Sequence, residues 1–237
     1  MSEGLRLAVW SGPRNISTAL MRSFENRPDT TVVDEPLYAY FLSVTGLEHP
    51  GREEVLASGE TDWRKVVASL TAPRDGLFYQ KHMAHHLVGE IEWGWIASLT
   101  NVLLIRSPEQ VVSSYLGSRA DVTAEDIGLE KQWRLYELLG RRPPVIDAAD
   151  FLHDPEGHLR YLCSYAGVEF TKAMLSWPAG PRPSDGIWAR YWYEAVISST
   201  GFRPYEKRPV HLSAPAAKVV AEVRPYYERL HAERVLI

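Results

Sequence analysis

The sequence predicts an α/β protein with three layers, α/β/α, around a central parallel sheet, and three observations predict it. Short apolar runs recur at residues 5–10, 31–34, 77–80, 101–105 and 145–148, with the length and composition of strands. Helical patterns separate them, so strand and helix alternate. Runs such as 101–105 are apolar without alternation, which suits strands covered by helices on both faces.

The first strand passes into Gly12, Pro13, Arg14 and Asn15, and a helical pattern then starts at Ser17 and Thr18. A strand, a tight turn and a helix N-terminus together form an anion site. The first helical N–H groups lack intrahelical partners, the helix dipole adds partial positive charge, and Arg14 supplies a full one. The segment lacks GxxxxGK[ST], so it is not the phosphate loop of a nucleoside triphosphatase.

The second strand ends at Asp34 and Glu35, the third is followed by Lys81 and His82, and the fourth by Arg106. In such sheets ligands collect at the carboxyl ends of the strands, so Arg14, Glu35, His82 and Arg106 are expected on one edge. One helix is predicted from about Thr123 to Gly140, with Asp126 where a capping box usually has Glu or Gln. After the fifth strand, Asp154 and Pro155 fit an N-cap and first helical position, and Gly167 fits the stop. Residues 177–188 contain three prolines and two glycines and read as a loop that covers a ligand.

With 237 residues the chain suits one domain spanning 1–237. A hydrophobic share of 45% and a charged share of 24% exclude a disordered chain. No apolar stretch approaches the roughly 20 residues of a membrane span. The N-terminus carries no basic region followed by an apolar core, so a cytoplasmic protein is expected. The single cysteine, Cys163, excludes a disulfide framework and reads as a buried structural residue. A formal charge of -4 argues against broad nucleic-acid binding and favours a small anionic partner. Eight tryptophans and twelve tyrosines leave aromatic rings for a binding cleft. Oligomeric state is not legible.

The loop at 11–20, SGPRNISTAL, resembles the 5′-phosphosulfate loop of sulfotransferases that use 3′-phosphoadenosine 5′-phosphosulfate (PAPS). Pro13, Arg14, Asn15, Ile16, Ser17 and Thr18 occupy its places. Arginine stands for the frequent lysine and Ile16 for the usual glycine, so the backbone at Ile16 is expected to avoid positive φ. A second segment, LLIRSPEQVVSSYLGSR, is similar to the family's strand ending in arginine, a following X-Pro, and a serine eight residues on. Arg106, Pro108 and Ser114 match it, and the resemblance gives Arg106 and Ser114 the 3′-phosphate. The stretch PVIDAADFLHDPEGHLRYLCSYAGVEF, with Asp150, looks like a structural signature of the family. RPSDGIWARYW is similar to its C-terminal nucleotide-binding loop, with Arg182, Gly186, Trp188 and Arg190 as candidates.

The resemblance implies a P-loop-containing nucleotide-binding fold and sulfuryl transfer from PAPS to a small hydroxyl- or amine-bearing acceptor. Arg14 and the loop amides would stabilise the leaving phosphate. Two residues compete as base. His82, in YQKHM, falls on the catalytic histidine of cytosolic sulfotransferases, whereas Glu35, in VVDEPLYAY, resembles the Glu-Pro-Leu element of carbohydrate sulfotransferases. Lys81 is a candidate to touch the bridging oxygen. Acceptor contacts are expected from loops at 38–54 and 178–190, and the aromatic group WARYWY either walls the acceptor or packs a helix.

His82, His86 and Glu90 would share a face if this segment were helical, but HExxH is absent and no metal is expected. Trp93 and Trp95 are expected against the sheet. Two other readings stay open: a small-molecule kinase, and a non-catalytic nucleotide-binding module for which Ile16 is the reason.

Overall fold

The computed structural model describes residues 4–117, 119, 121–206 and 209–237. The first half runs β1 (Leu5–Ser11), α1 (Ser17–Glu25), β2 (Thr30–Asp34), α2 (Tyr38–Thr45), α3 (Arg52–Ser58), α4 (Trp63–Thr71), β3 (Leu77–Met83) and β4 (Thr100–Ile105). It continues with α5 (Pro108–Leu116), α6 (Ala124–Ile127), α7 (Leu129–Leu138), β5 (Val145–Asp147), α8 (Ala148–His153) and α9 (Pro155–Ala166). The short helices α10 (Ala189–Trp192) and α11 (Glu194–Ile197) precede the long α12 (Ala214–Ala232).

All five strands are parallel, in the order β2-β3-β1-β4-β5. The chain leaves β1 toward β2 and β3, then crosses back from β3 to β4. The strand order therefore reverses beside β1, which opens a crevice between the loops that follow β1 and β4.

Alternation along β1 divides the core into two. Leu7 and Val9 face a cluster with Leu20 and Phe24 of α1 and Leu159 and Leu162 of α9. Ala8 and Trp10 face the opposite cluster, with Val112 of α5, Leu135 of α7 and Val220 of α12. Each large apolar side chain so buried contributes about 1.5–3 kcal/mol relative to exposure. Cys163 is buried in the first cluster, as the sequence predicts. Among the described residues no helix is long and apolar enough to cross a membrane.

Two boundaries differ from expectation. The single helix predicted over 123–140 is two, because Gly128 takes φ +74 and turns the chain between α6 and α7. The capping box is present: Thr123 Oγ accepts from Asp126 N, and the Asp126 carboxylate accepts from Thr123 N. The third strand also runs three residues past Gln80, so Lys81, His82 and Met83 are strand residues. His82, His86 and Glu90 thus share no helix, since only a 3₁₀ turn at Ala84–His86 follows the strand. Asp154 caps α9 through Gly157 N, and Gly167 ends it at φ +73.

Candidate active site

A cavity of about 590 Å³ opens at the carboxyl edge of the sheet, beside the reversal in strand order. The loop after β1 forms one wall. Gly12 has to be glycine, because a Cβ there would lie 2.4 Å from the carbonyl oxygen of Ile127. Arg14 takes φ +53, so the left-handed turn falls on arginine, two residues before Ile16. Ile16 has φ -84 and ψ 12 and packs against the α1 side of the core. The backbone at Ile16 thus avoids positive φ, as the sequence predicts.

Pro13, Arg14, Asn15, Ser17 and Thr18 all line the cavity. Asn15 is committed to the loop itself: its amide donates to Leu104 O at 3.1 Å and accepts from Ile16 N at 2.8 Å. Arg14 Nε donates to Ser114 Oγ at 3.0 Å, and Arg106 Nη1 donates to Arg14 O at 2.6 Å. Arg106 Nε also holds Gln110 Oε1 at 3.1 Å. The two motifs that the sequence separates by about ninety residues are therefore one hydrogen-bonded surface at the start of α1. A second cavity of about 600 Å³ shares Arg106, Ser114 and Arg203 with the first and extends the cleft toward Tyr205.

Glu35 follows β2 with φ +42 and lines the same cavity. Backbone strain of this kind costs about 1 kcal/mol or more and gathers at sites that use it. The Lys81 ammonium, fully buried, lies 2.6 Å from Glu35 Oε1, 2.9 Å from Asp34 Oδ1 and 2.6 Å from the Tyr193 hydroxyl. Burial pushes the Lys81 pKa down, but Asp34 and Glu35 outweigh it and hold the amine charged. Burial raises the Glu35 carboxyl above its ordinary value, while Lys81 works in the opposite direction. Oε2 of Glu35 is the oxygen that Lys81 does not hold, and His86 Nε2 lies 4.0 Å from it. Lys81, the candidate for a bridging oxygen, is fully buried and outside the cavity lining, where it is the counter-ion of Asp34 and Glu35.

His82 is placed apart from the cavity. It shares the sheet face of Phe78, stacks on Trp10 at 4.1 Å with an interplanar angle of 13°, and meets Gln80 Oε1 through Nε2 at 3.1 Å. Trp95 tilts against both rings, as expected of a residue packed on the sheet. Burial lowers the His82 pKa to about 3. Of the two candidate bases, only Glu35 lines the cavity together with the loop after β1.

The C-terminal candidates also lie outside the cavity lining. Gly186 N donates to Asp34 Oδ2 at 3.2 Å, and Trp188 Nε1 donates to the Tyr193 hydroxyl at 3.2 Å. A Cβ at Gly186 would fall 2.1 Å from the Trp188 ring, so this glycine serves packing. Arg190 pairs with Glu54 on the surface. Arg182 binds Glu25 at 2.7 Å and Asp185 binds the buried Arg22 at 2.7 Å, which fastens the loop at 177–188 to the back of α1. Residues 191–203 form the wall instead, with Tyr191, Trp192, Tyr193 and Arg203 among them. Of the predicted acceptor segments, 38–54 reaches the cavity through Tyr38 and His49, and 178–190 does not.

Arg203 and His86 are cavity residues that the motifs do not reveal, whereas Tyr38 and Tyr193 fall in the segment at 38–54 and the aromatic group WARYWY named for the acceptor. The signals of the first two in the sequence are faint: Arg203 follows the Gly-Phe pair after the aromatic group that contains Tyr193, and His86 stands in KHMAHH. His86 stacks between Tyr38, at 5.0 Å and 5°, and Phe41, at 4.7 Å and 27°. Burial holds His86 well below the ordinary imidazole range and His85 at about 3, so both rings are neutral at physiological pH. Among the described residues no group of three or more His, Cys, Asp or Glu is arranged to hold a metal ion.

Comparison with known proteins places this arrangement. The family described as Sulfotransferase domain matches residues 5–234. Two Arabidopsis thaliana proteins, branched-chain-amino-acid aminotransferase-like proteins 1 and 2, are 39% identical over 214 residues and 35% identical over 227 residues. These matches cover 88% and 94% of this chain but 38% and 40% of the relatives. The chain thus spans about two fifths of their length. Among solved structures, the sulfotransferase from Alicyclobacillus acidocaldarius superposes with a TM-score of 0.58 at 14% identity, covering 98% of this chain and 97% of that one. Mouse sulfotransferase SULT7A1 complexed with PAP gives 0.51 at 11% identity, covering 97% and 84%. At such identities the likeness is one of fold.

Proposed function

The chain belongs to the sulfotransferase domain family, and from that premise we propose that it moves a sulfuryl group from PAPS to the hydroxyl or amine of a small acceptor. The observation that carries this reading is the Arg14–Ser114 hydrogen bond, which joins two phosphate-type motifs on the wall of a cavity that also holds Glu35. Arg14, Ser17, Thr18 and the first amides of α1 take the 5′-phosphosulfate, and Arg106 and Ser114, with Arg203 beside them, take the 3′-phosphate. Such a cradle suits a nucleotide with a phosphate at each end of its ribose.

Glu35 is the base in this proposal. The acceptor oxygen bonds to sulfur as the bond between sulfur and the phosphate oxygen breaks, and the acceptor proton passes to Glu35 Oε2. The leaving phosphate keeps the bonding electrons, which Arg14 and the helix amides stabilise. Lys81 fixes the other carboxylate oxygen and so orients the base. A cytoplasmic location, one working domain over 1–237 and a small acceptor belong to the same proposal.

Thermal stabilisation tests the donor assignment. 3′-Phosphoadenosine 5′-phosphate should raise Tm well above the effect of AMP at equal concentration, and equal or absent stabilisation refutes the assignment. Transfer of labelled sulfate from PAPS to a panel of alcohols, phenols and amines then tests the reaction.

A further inference from the structure

Where Tyr38 and His49 line the cavity, a chain of three side chains fixes the direction of one proton. Arg119 Nη1 lies 2.6 Å from His49 Nε2, and a guanidinium can only donate. The His49 lone pair is therefore on Nε2 and the ring proton on Nδ1. That Nδ1–H donates to the Tyr38 hydroxyl oxygen at 2.8 Å. With its oxygen accepting from His49, Tyr38 has to direct its own proton elsewhere, and Tyr38 lines the cavity.

Two observations indicate what that proton meets. Tyr38 and Glu35 flank a single imidazole: the Tyr38 ring stacks on His86 at 5.0 Å, and His86 Nε2 lies 4.0 Å from Glu35 Oε2. The Nδ1 atoms of His85 and His86, both cavity residues, are buried without a hydrogen-bond partner among the described residues. Buried polar atoms are normally paired, so this part of the wall holds polar groups that the described residues leave unsatisfied.

We propose that Tyr38 is a specificity-determining donor that recognises a second oxygen of the acceptor, next to the hydroxyl that loses its proton to Glu35. The acceptor is then a vicinal diol or a hydroxycarbonyl compound. His49 and Arg119 are positioning residues that aim the Tyr38 proton. The inference rests on the reading of Glu35 as the base.

Nitrogen-15 NMR of histidine-labelled protein tests the chain of three without turnover. Near neutral pH His49 should be the Nδ1–H tautomer, and Arg119→Met should shift it to Nε2–H or a mixture. An Nε2–H tautomer in the unmodified protein overturns the proposal. Catechol and phenol serve as acceptor probes in the presence of 3′-phosphoadenosine 5′-phosphate, followed through the His85 and His86 resonances. Catechol should bind roughly fivefold more tightly than phenol, and Tyr38→Phe should abolish the difference, as loss of one hydrogen bond requires. Equal affinities, or binding of neither probe, overturn it. Stabilisation by the bisphosphate on the same samples reports separately on the sulfotransfer reading, because Tyr38 takes no part in it.

Discussion

Arg14 Nε and Ser114 Oγ lie 3.0 Å apart across 100 residues of sequence, so the loop after β1 and the helix after β4 present one surface to a ligand. Neither motif alone distinguishes a bisphosphate from a monophosphate. Under the proposed function their contact does, because it sets Arg106 and Ser114 beside the loop proposed to hold the 5′-phosphosulfate.

That contact gives the first prediction. Arg106→Gln removes a charge, and Ser114→Ala removes a hydroxyl that bonds to charged groups. Arg106→Gln should weaken 3′-phosphoadenosine 5′-phosphate by about 2 kcal/mol or more and Ser114→Ala by about 1.5 kcal/mol. AMP should change little in either variant. Calorimetric titration of both nucleotides measures the difference, and parallel losses would show that Arg106 and Ser114 do not read the 3′-phosphate.

Glu35→Gln should lower kcat by about 10²–10⁴-fold while bisphosphate binding persists, the signature of a lost general base. Burial raises the Glu35 pKa, so the rate of the unmodified enzyme should fall with acid at a pH above that of an ordinary glutamate. A pH–rate profile with its acidic limb at the ordinary value, or a Gln variant of full activity, removes Glu35 from this role.

Lys81→Met tests the buried charges. The substitution preserves much of the volume but leaves Asp34 and Glu35 adjacent without their cation. Breaking a buried pair in this way costs about 3–5 kcal/mol. Chemical denaturation should show that loss near neutral pH, partly recovered in the double variant with Asp34→Asn, which removes one of the two stranded charges.

Much of this was legible because some functions are contiguous in sequence. The strand, turn and helix start at 12–18 are contiguous and so read directly, and the strands at 101–105 and 145–147 are apolar enough to be read in the same way. Lys81 and His82 were harder, since a strand rule that expects apolar residues stops at Gln80. The strand continues because Asp34 and Glu35, on the neighbouring strand end, neutralise Lys81, and because Trp10 covers His82. Tyr193 reaches Asp34 across 159 residues, a relationship that no spacing reveals. Gly186 and Trp188 matched a motif in residue type, but their polar atoms serve the docking of that segment on Asp34 and Tyr193.

Ile16 gives a prediction opposite to what its motif suggests. Because its φ is -84 and its side chain is packed on the core, Ile16→Gly restores the usual family residue without relieving strain. It should destabilise the protein by about 1–3 kcal/mol through lost burial and added chain entropy, with no gain in nucleotide affinity. A tighter bisphosphate complex in the glycine variant would show that Ile16 does restrict the loop.

Acid stability provides the last test, and its sign follows from burial. The pKa of His82 and of His85 is about 3, and that of His49 about 4, each depressed chiefly by burial from an ordinary 6.5. Between those values the unfolded chain binds protons that the folded chain does not. Stability is therefore full above pH 6.5 and declines as pH falls through the window from 6.5 toward 3. Each ring contributes up to about 1.4 kcal/mol per pH unit there. His82→Gln, which leaves the cavity lining intact, should remove one ring's share and flatten the dependence of unfolding free energy on pH. An unchanged slope would mean that the His82 ring takes up a proton without unfolding, contrary to its burial between Trp10 and Trp95.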